Sequence, residues 1–209
     1  IKGKIIMCGL AAAILKIPIY KKIIEETMIS LKNRGPDNQE YREYKIGDYF
    51  VYLIHSRLSI IDLSNNANQP YIYKNLNIIF NGEIYNYLEI KTELESAGYF
   101  FETTSDTEVL IKGIEYFGLK KTLEKLDGMF VFLCFNLKTK EFYIARDRFG
   151  EKPLFYHLSN NELYFASETR VLKKITNKNF EINYEKLYNL IKFGYRALNL
   201  NKIEKKSNT

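Results

Sequence analysis

The residue best placed to do chemistry is Cys8, which directly follows Met7 and precedes Gly9. A chain started at Met7 and trimmed of it would expose a cysteine with a free α-amine. Such an amine has a pKa of about 7.7–8.0, so near pH 7 a useful fraction is neutral and can act as general base toward its own thiol, as in N-terminal nucleophiles. The second cysteine, Cys134, lies inside the apolar run 129–135 and reads as packing. Two cysteines cannot build a disulfide framework, and His55 with His157 do not make a convincing zinc set.

The elements that must carry Cys8 can be read from periodicity. Residues 6–15 form an apolar run of strand length. Pro18 suits an early helical position, and Ile24, Met28 and Leu31 fall at i, i+4 and i+7 on one helix face. Gly35-Pro36 forces a turn. Residues 49–62 (YFVYLIHSRLSIID) read as one extended, mostly buried stretch in which His55 shares a face with Arg57. Residues 76–80 read as a strand ended by the Asn81-Gly82 turn signal. A helix is predicted after Asn86, with Gly98 as its C′ residue. A second opens at Ser105, where Ser105 and Glu108 match a capping box and Val109, Leu110, Ile114 and Phe117 fill one face. Residues 119–126 continue as a short helix. From Gly128 the pattern turns to strands at 129–135, 141–146, 153–157 and 163–167, with turns at 136–138 and 159–161. Strands, then helices, then an antiparallel meander argue for α+β rather than doubly wound α/β. A last helix is predicted over 184–193, ahead of a lysine-rich tail.

Composition narrows the class. Of the 209 residues 46% are hydrophobic, with 17 Tyr and 14 Phe, enough apolar surface for one substantial core. The net charge of +6 is spread along the chain, and its densest stretch (Lys202, Lys205, Lys206) falls in the tail, so no basic stripe with interleaved aromatics points to nucleic acid. No run approaches the ~18 apolar residues of a membrane span. The first fifteen residues loosely imitate a signal peptide, but Lys16 and Pro18 follow where a small-x-small cleavage site should stand. A cytoplasmic protein is expected.

Eight motifs occur in order: Met7-Cys8-Gly9; Arg34-Gly35-Pro36-Asp37; Arg57-Leu58-Ser59-Ile60-Ile61-Asp62; Asn81-Gly82-Glu83-Ile84-Tyr85-Asn86; Ser105-Asp106-Thr107-Glu108; Leu126-Asp127-Gly128-Met129-Phe130; 146–154 (RDRFGEKPL); and Phe165-Ala166-Ser167-Glu168. Together they resemble the class II glutamine amidotransferase domain of the glutamine-hydrolysing asparagine synthases. The resemblance implies an N-terminal-nucleophile (Ntn) hydrolase fold, a four-layer αββα sandwich of antiparallel sheets. It also implies amide hydrolysis of glutamine by Cys8 through a glutamyl thioester. The Asn81 side-chain amide and the Gly82 backbone N–H would then bind the oxyanion. Arg57, with Leu58, Ser59, Ile60 and Ile61 along the same strand, would bind the substrate carboxylate, and Asp106, helped by Glu83, its ammonium. Asp106 would also be stabilised by its place in the first turn of a helix. Arg34, Asp37, Asp147 and Arg148 are expected to form supporting ion pairs and turns, and His55 to pack or position.

Two departures from the family pattern qualify this. Ile1 to Met7 precede Cys8, and an acylated nitrogen cannot act as base. These residues are expected to be absent from the active form, through a start at Met7 or a cleaved propeptide, unless they extend a catalytically dead domain. The ATP-pyrophosphatase loop of the family's synthase domain is also missing, and Asn33 stands where many members have His. The expected organisation is a leader (1–7), an amidotransferase domain (8–178) and the start of a truncated linker toward a missing synthase domain (179–209). No cofactor or metal is expected in this domain. ATP and Mg would belong to the synthase domain or partner chain, which would make asparagine from aspartate. A homo-oligomer is compatible with the sequence. The alternative reading is a non-catalytic glutamine-binding or partner-interaction domain with a blocked Cys8 amine.

Overall fold

Strands with apolar residues at consecutive positions, such as LAAAIL and FVFLCF, must bury both faces, and the architecture follows from that need. In the computed structural model, which describes residues 7–159, 161–181 and 183–193, the chain runs β1 (Gly9–Leu15), α1 (Lys21–Leu31), β2 (Asn38–Ile46), β3 (Tyr49–Arg57), a short 3-10 turn (Asn65–Ala67), β4 (Tyr71–Tyr73) and β5 (Leu76–Ile84). Then come α2 (Tyr87–Ser96), α3 (Asp106–Phe117), α4 (Leu119–Lys125), β6 (Gly128–Asn136), β7 (Phe142–Arg146), β8 (Phe155–Ser159), β9 (Glu162–Ala166), α5 (Thr169–Thr176) and α6 (Tyr184–Phe193). One sheet has the order β2-β3-β1-β9-β8 and the other β4-β5-β6-β7. Every pairing is antiparallel.

Strand alternation divides the buried residues into three slabs. Leu10, Ala12, Val51 and Leu53 of the first sheet meet Ile79, Val131, Leu133 and Phe135 of the second between the sheets. Ala11, Ala13, Tyr52 and Ile54 point the other way, onto Ile24 and Leu31 of α1 and Val171 and Leu172 of α5. Ile78, Phe80, Phe132 and Cys134 face Ile90 and Leu94 of α2 and Leu110 and Ile114 of α3. The layers are therefore helix, sheet, sheet, helix, the four-layer αββα sandwich expected.

The chain divides into two compact units, 1–177 and 178–209. In the second, the helix predicted over 184–193 has those bounds, and Asn183 caps it, its Oδ1 accepting from Lys186 N at 2.9 Å. The lysine-rich tail lies outside the described residues, as does Asn160 of the 159–161 turn.

Several local expectations are corrected. β5 runs straight through Asn81-Gly82, with Asn81 opposite Val131 and Gly82 opposite Phe130, so that dipeptide is no hairpin turn. The extended stretch stops at Arg57, and 58–62 is loop. Pro18 precedes α1 rather than starting it. The capping box is half made: Ser105 Oγ accepts from Thr107 N at 3.1 Å, but Glu108 does not reach back to Ser105. It is buried instead, holding Thr103 N (2.8 Å) and Lys112 Nζ (2.5 Å). Nor do the last four strands form one meander: β6 and β7 belong to the second sheet, β8 and β9 to the first, and the loop 147–154 crosses between them.

Candidate active site

A strand alternates its side chains, so residues two apart share a face. Cys8 lies two before Leu10, Asn81 two after Ile79, and His55 and Arg57 follow Val51 and Leu53 in the same period. All four therefore project into the layer between the sheets, at one end. A cavity of about 290 Å³ opens there, at the small end of ligand pockets (about 300–1,000 Å³). Cys8, Arg57, Leu58, Ile60, Ile61, Asn81, Gly82, Glu83 and Asp106 all line it. Ser59 does not: its backbone N–H donates to Asp37 Oδ2 at 2.8 Å, away from the cavity. Ile60 and Ile61 reach the wall from a loop rather than from the strand.

Burial pushes the Cys8 thiol up, countered mainly by the Leu58 N–H, 3.3 Å from Sγ, and by the Arg57 charge. A thiol held protonated needs a nearby base. His55 cannot supply one: it is fully buried, Nε2 lies 3.0 Å from the Phe80 carbonyl, and burial drives its pKa down to about 3. The Cys8 carbonyl accepts from Arg34 Nε at 2.9 Å, which fixes the peptide unit that follows Cys8, and Arg34 in turn pairs with Glu168 at 3.2 Å.

In the same cavity, Asn81 Nδ2 is buried with no hydrogen-bond partner among the described residues. An amide that gives up its bonds to water without replacement costs ~1–3 kcal/mol, a donor kept for something that arrives. A Cβ on Gly82 would come within 2.3 Å of the Met129 carbonyl and 2.6 Å of Phe130 Cα, so only glycine lets β5 and β6 close there.

Asp106 sits at the first position of α3, 5% exposed, its Oδ2 accepting from Ile84 N at 3.1 Å. Burial raises its pKa to about 6 despite the backbone N–H bonds of Ile84 and Thr107, and the neighbouring Glu83 charge adds to the rise. This is a carboxylate suited to a cation. Arg57 is also buried, its guanidinium bonded to Ser64 O (2.7 Å), Asn68 Oδ1 (2.7 Å) and Asp62 O. These three bonds aim the fork and tie it to the loop that follows β3.

Sequence reasoning passed over several residues of the site, four of which bear on its build. Asp62 ends the Arg57 motif; burial would raise its carboxyl, but the bonds from Ser64 and Thr104 outweigh that and hold it near 2. It thereby staples loop 58–64 to the segment before Asp106. Gln69 and Met129 line the cavity, as does Lys152, 5% exposed, whose Nζ donates to Met7 Sδ at 3.2 Å. Asp62, Met129 and Lys152 lay inside quoted motifs but carried no separate signal; Gln69 lay in none. Among the described residues, Arg34 is the one expected support that forms an ion pair. Asp37 and Asp147 hold turns, the latter accepting from Phe149, Glu151 and Lys152 backbone N–H groups, and Arg148 makes no ion pair among the described residues.

A family of glutamine amidotransferase domains matches residues 7–206. The chain belongs to this family. The amidotransferase domain is 40% identical over 196 residues to asparagine synthetase [glutamine-hydrolyzing] 1 of Bacillus subtilis, covering 90% of this chain and 30% of that protein. To asparagine synthetase [glutamine-hydrolyzing] 2 of the same organism it is 38% identical over 174 residues, or 79% of this chain and 22% of that one. The chain thus spans less than a third of the length of these curated relatives. Among solved structures, glutamine phosphoribosylpyrophosphate amidotransferase from B. subtilis, complexed with ADP and GMP, superposes with a TM-score of 0.64 at 22% identity, covering 80% of this chain and 43% of that one. That likeness supports the Ntn fold. Among the described residues no three His, Cys, Asp or Glu cluster as a metal site, and no helix is long and apolar enough to cross a membrane.

Proposed function

We propose that this domain hydrolyses the side-chain amide of L-glutamine with Cys8 as nucleophile. The observation that carries the reading is the cavity itself, which is lined both by the Cys8 thiol, just ahead of β1, and by the Asn81 amide of β5, a buried donor with no partner among the described residues. With Met7 removed, the Cys8 α-amine takes the thiol proton and sulfur attacks the amide carbon. The oxyanion is received by Asn81 Nδ2–H and Gly82 N–H, of which one donor is typically worth ~3–4 kcal/mol. The amine returns the proton to the departing ammonia, and water, deprotonated by the same amine, cleaves the thioester to glutamate. Arg57 grips the substrate carboxylate with its planar fork. Asp106 pairs with the ammonium.

The relatives supply the rest of the proposal. Ammonia passes to a synthase portion, in the same polypeptide or a partner chain, that uses ATP and Mg to make asparagine from aspartate. No cofactor is assigned to the amidotransferase domain itself. With Met7 retained, whose side chain lines the cavity against Lys152, the Cys8 nitrogen is an amide and the site binds without turning over.

Three proteins test this: one beginning at Cys8, the same with Met7 retained, and the first carrying Cys8→Ala. Glutamate release from glutamine is expected only from the first. Equal release by the Ala variant would remove Cys8 from the mechanism, and full activity with Met7 in place, checked by mass spectrometry, would remove the amine.

A further inference from the structure

The cavity-side edge of β5 is only partly covered by a strand. β4 pairs with Leu76, Asn77 and Ile78 and then ends. Alternate residues of a strand present their N–H and C=O to the same edge, so Ile78, Phe80, Gly82 and Ile84 form a row. Past Ile78, side chains take the place of the missing strand. The Phe80 N–H donates to Gln69 Oε1 at 2.6 Å, and the Phe80 carbonyl lies 3.0 Å from His55 Nε2. Two residues beyond Gly82, the Ile84 N–H donates to Asp106 Oδ2. Gly82, between these filled positions, turns its N–H toward the cavity it lines.

A carbonyl can only accept, so His55 carries a proton on Nε2, and full burial, which lowers its pKa, keeps the ring neutral with that as its one proton. Gln69 is 4% exposed, and its Nε2 donates to Thr107 Oγ1 at 3.3 Å, one residue past Asp106. The two side chains thus grip both polar groups of Phe80, the residue just before Asn81 and Gly82.

We infer that His55 and Gln69 are positioning residues for amide hydrolysis, a surrogate strand that fixes the Asn81 side chain and the Gly82 N–H as oxyanion donors. This rests on the assignment of those donors in the proposed function. Neither residue acts on the reacting atoms; both act through Phe80. Donors aimed before charge develops do so without reorganisation during the reaction, and a slip of about 1 Å can cost 10²-fold in rate.

The test is steady-state glutamine hydrolysis by the chain with a free Cys8 amine, comparing His55→Leu, Gln69→Met, the conservative His55→Gln and Gln69→Glu, and Asn81→Ala as reference. Leu and Met at these positions should lower kcat about 10- to 100-fold while KM moves less than about 3-fold, since oxyanion contacts exist only in the transition state. His55→Gln keeps an N–H and Gln69→Glu an acceptor, so each should recover most of kcat. Should the apolar variants not fold, Thr107→Val loosens Gln69 without a change in volume and should lower kcat about 2- to 5-fold at unchanged KM. Normal kcat in folded Gln69→Met or in Thr107→Val, or losses carried wholly in KM, would overturn the inference. If Asn81→Ala itself retains kcat, the oxyanion assignment falls instead, so the two failures are distinguishable.

Discussion

Replacing Asp106 by Asn should make the domain more stable while stripping it of substrate binding. Burial lifts the Asp106 carboxyl from 3.8 to about 6. A rise of that size corresponds to ~3 kcal/mol of unfavourable free energy for holding the charge in the folded state at neutral pH. The sign follows from proton counts. Between about pH 4 and 6 the folded chain binds more protons here than the unfolded chain does, so stability falls as pH rises through that window and the penalty is complete above it. Asn is nearly the same shape, keeps an oxygen for the Ile84 N–H and carries no charge. The rise is already net of the N–H bonds at the helix start that favour the acid. The expectation is a gain of ~3 kcal/mol at pH 7.5 that is mostly gone near pH 4. For a domain of this size that is a rise in Tm of about 6–12 °C. Denaturant melts of both proteins at pH 7.5 and pH 4 measure it. Saturating glutamine should raise the midpoint of the parent and leave that of Asp106→Asn unmoved, because the ammonium no longer finds its partner. A variant less stable than the parent at pH 7.5, or a difference equal at both pH values, would refute the argument that Asp106 is an uncompensated buried charge.

Other changes have expected outcomes of the same kind. Gly82→Ala puts a methyl 2.3 Å from the Met129 carbonyl and should cost ~3 kcal/mol or more, read as a lowered urea midpoint with unchanged slope. Arg57→Lys keeps the charge but loses the planar fork shared with Asp62, Ser64 and Asn68. It should raise KM for glutamine about 10-fold or more, and amide exchange should quicken across 58–64. An unchanged KM would remove Arg57 from substrate binding.

The sequence was legible where one signal acted alone. The bounds of α3, β6 and α6 came close to those expected, because 3.6-residue spacing or an unbroken apolar run has no rival reading there. The α+β class was legible from the order of strands and helices, and the four-layer sandwich from the resemblance that the ordered motifs carry. The chemical residues were legible from ordered motifs, and the fold brings all but Ser59 to one cavity. What failed were places where a tertiary contact overrode a local preference. Asn81-Gly82 is a strong turn signal, yet pairing with β6 holds it extended. β2, NQEYREYKI, pairs along its full length with β3 but is an edge strand too polar to announce itself. Glu108 sits where a capping box wants it, yet Lys112 and Thr103 claim its carboxylate. The grip on Phe80 was invisible because His55 and Gln69 converge on it from separate segments, 25 and 11 residues away.

Cys8 leads into β1 of one sheet, while Asn81 lies on β5 of the other. In the proposed reaction the distance over which sulfur reaches carbon is therefore set not within either sheet but by the thickness of the slab between them, built from Leu10, Ala12, Ile79, Val131 and Leu133. On that reading these side chains act as shims. A single methylene added or removed there, far from any substrate atom, is expected to change turnover as well as stability.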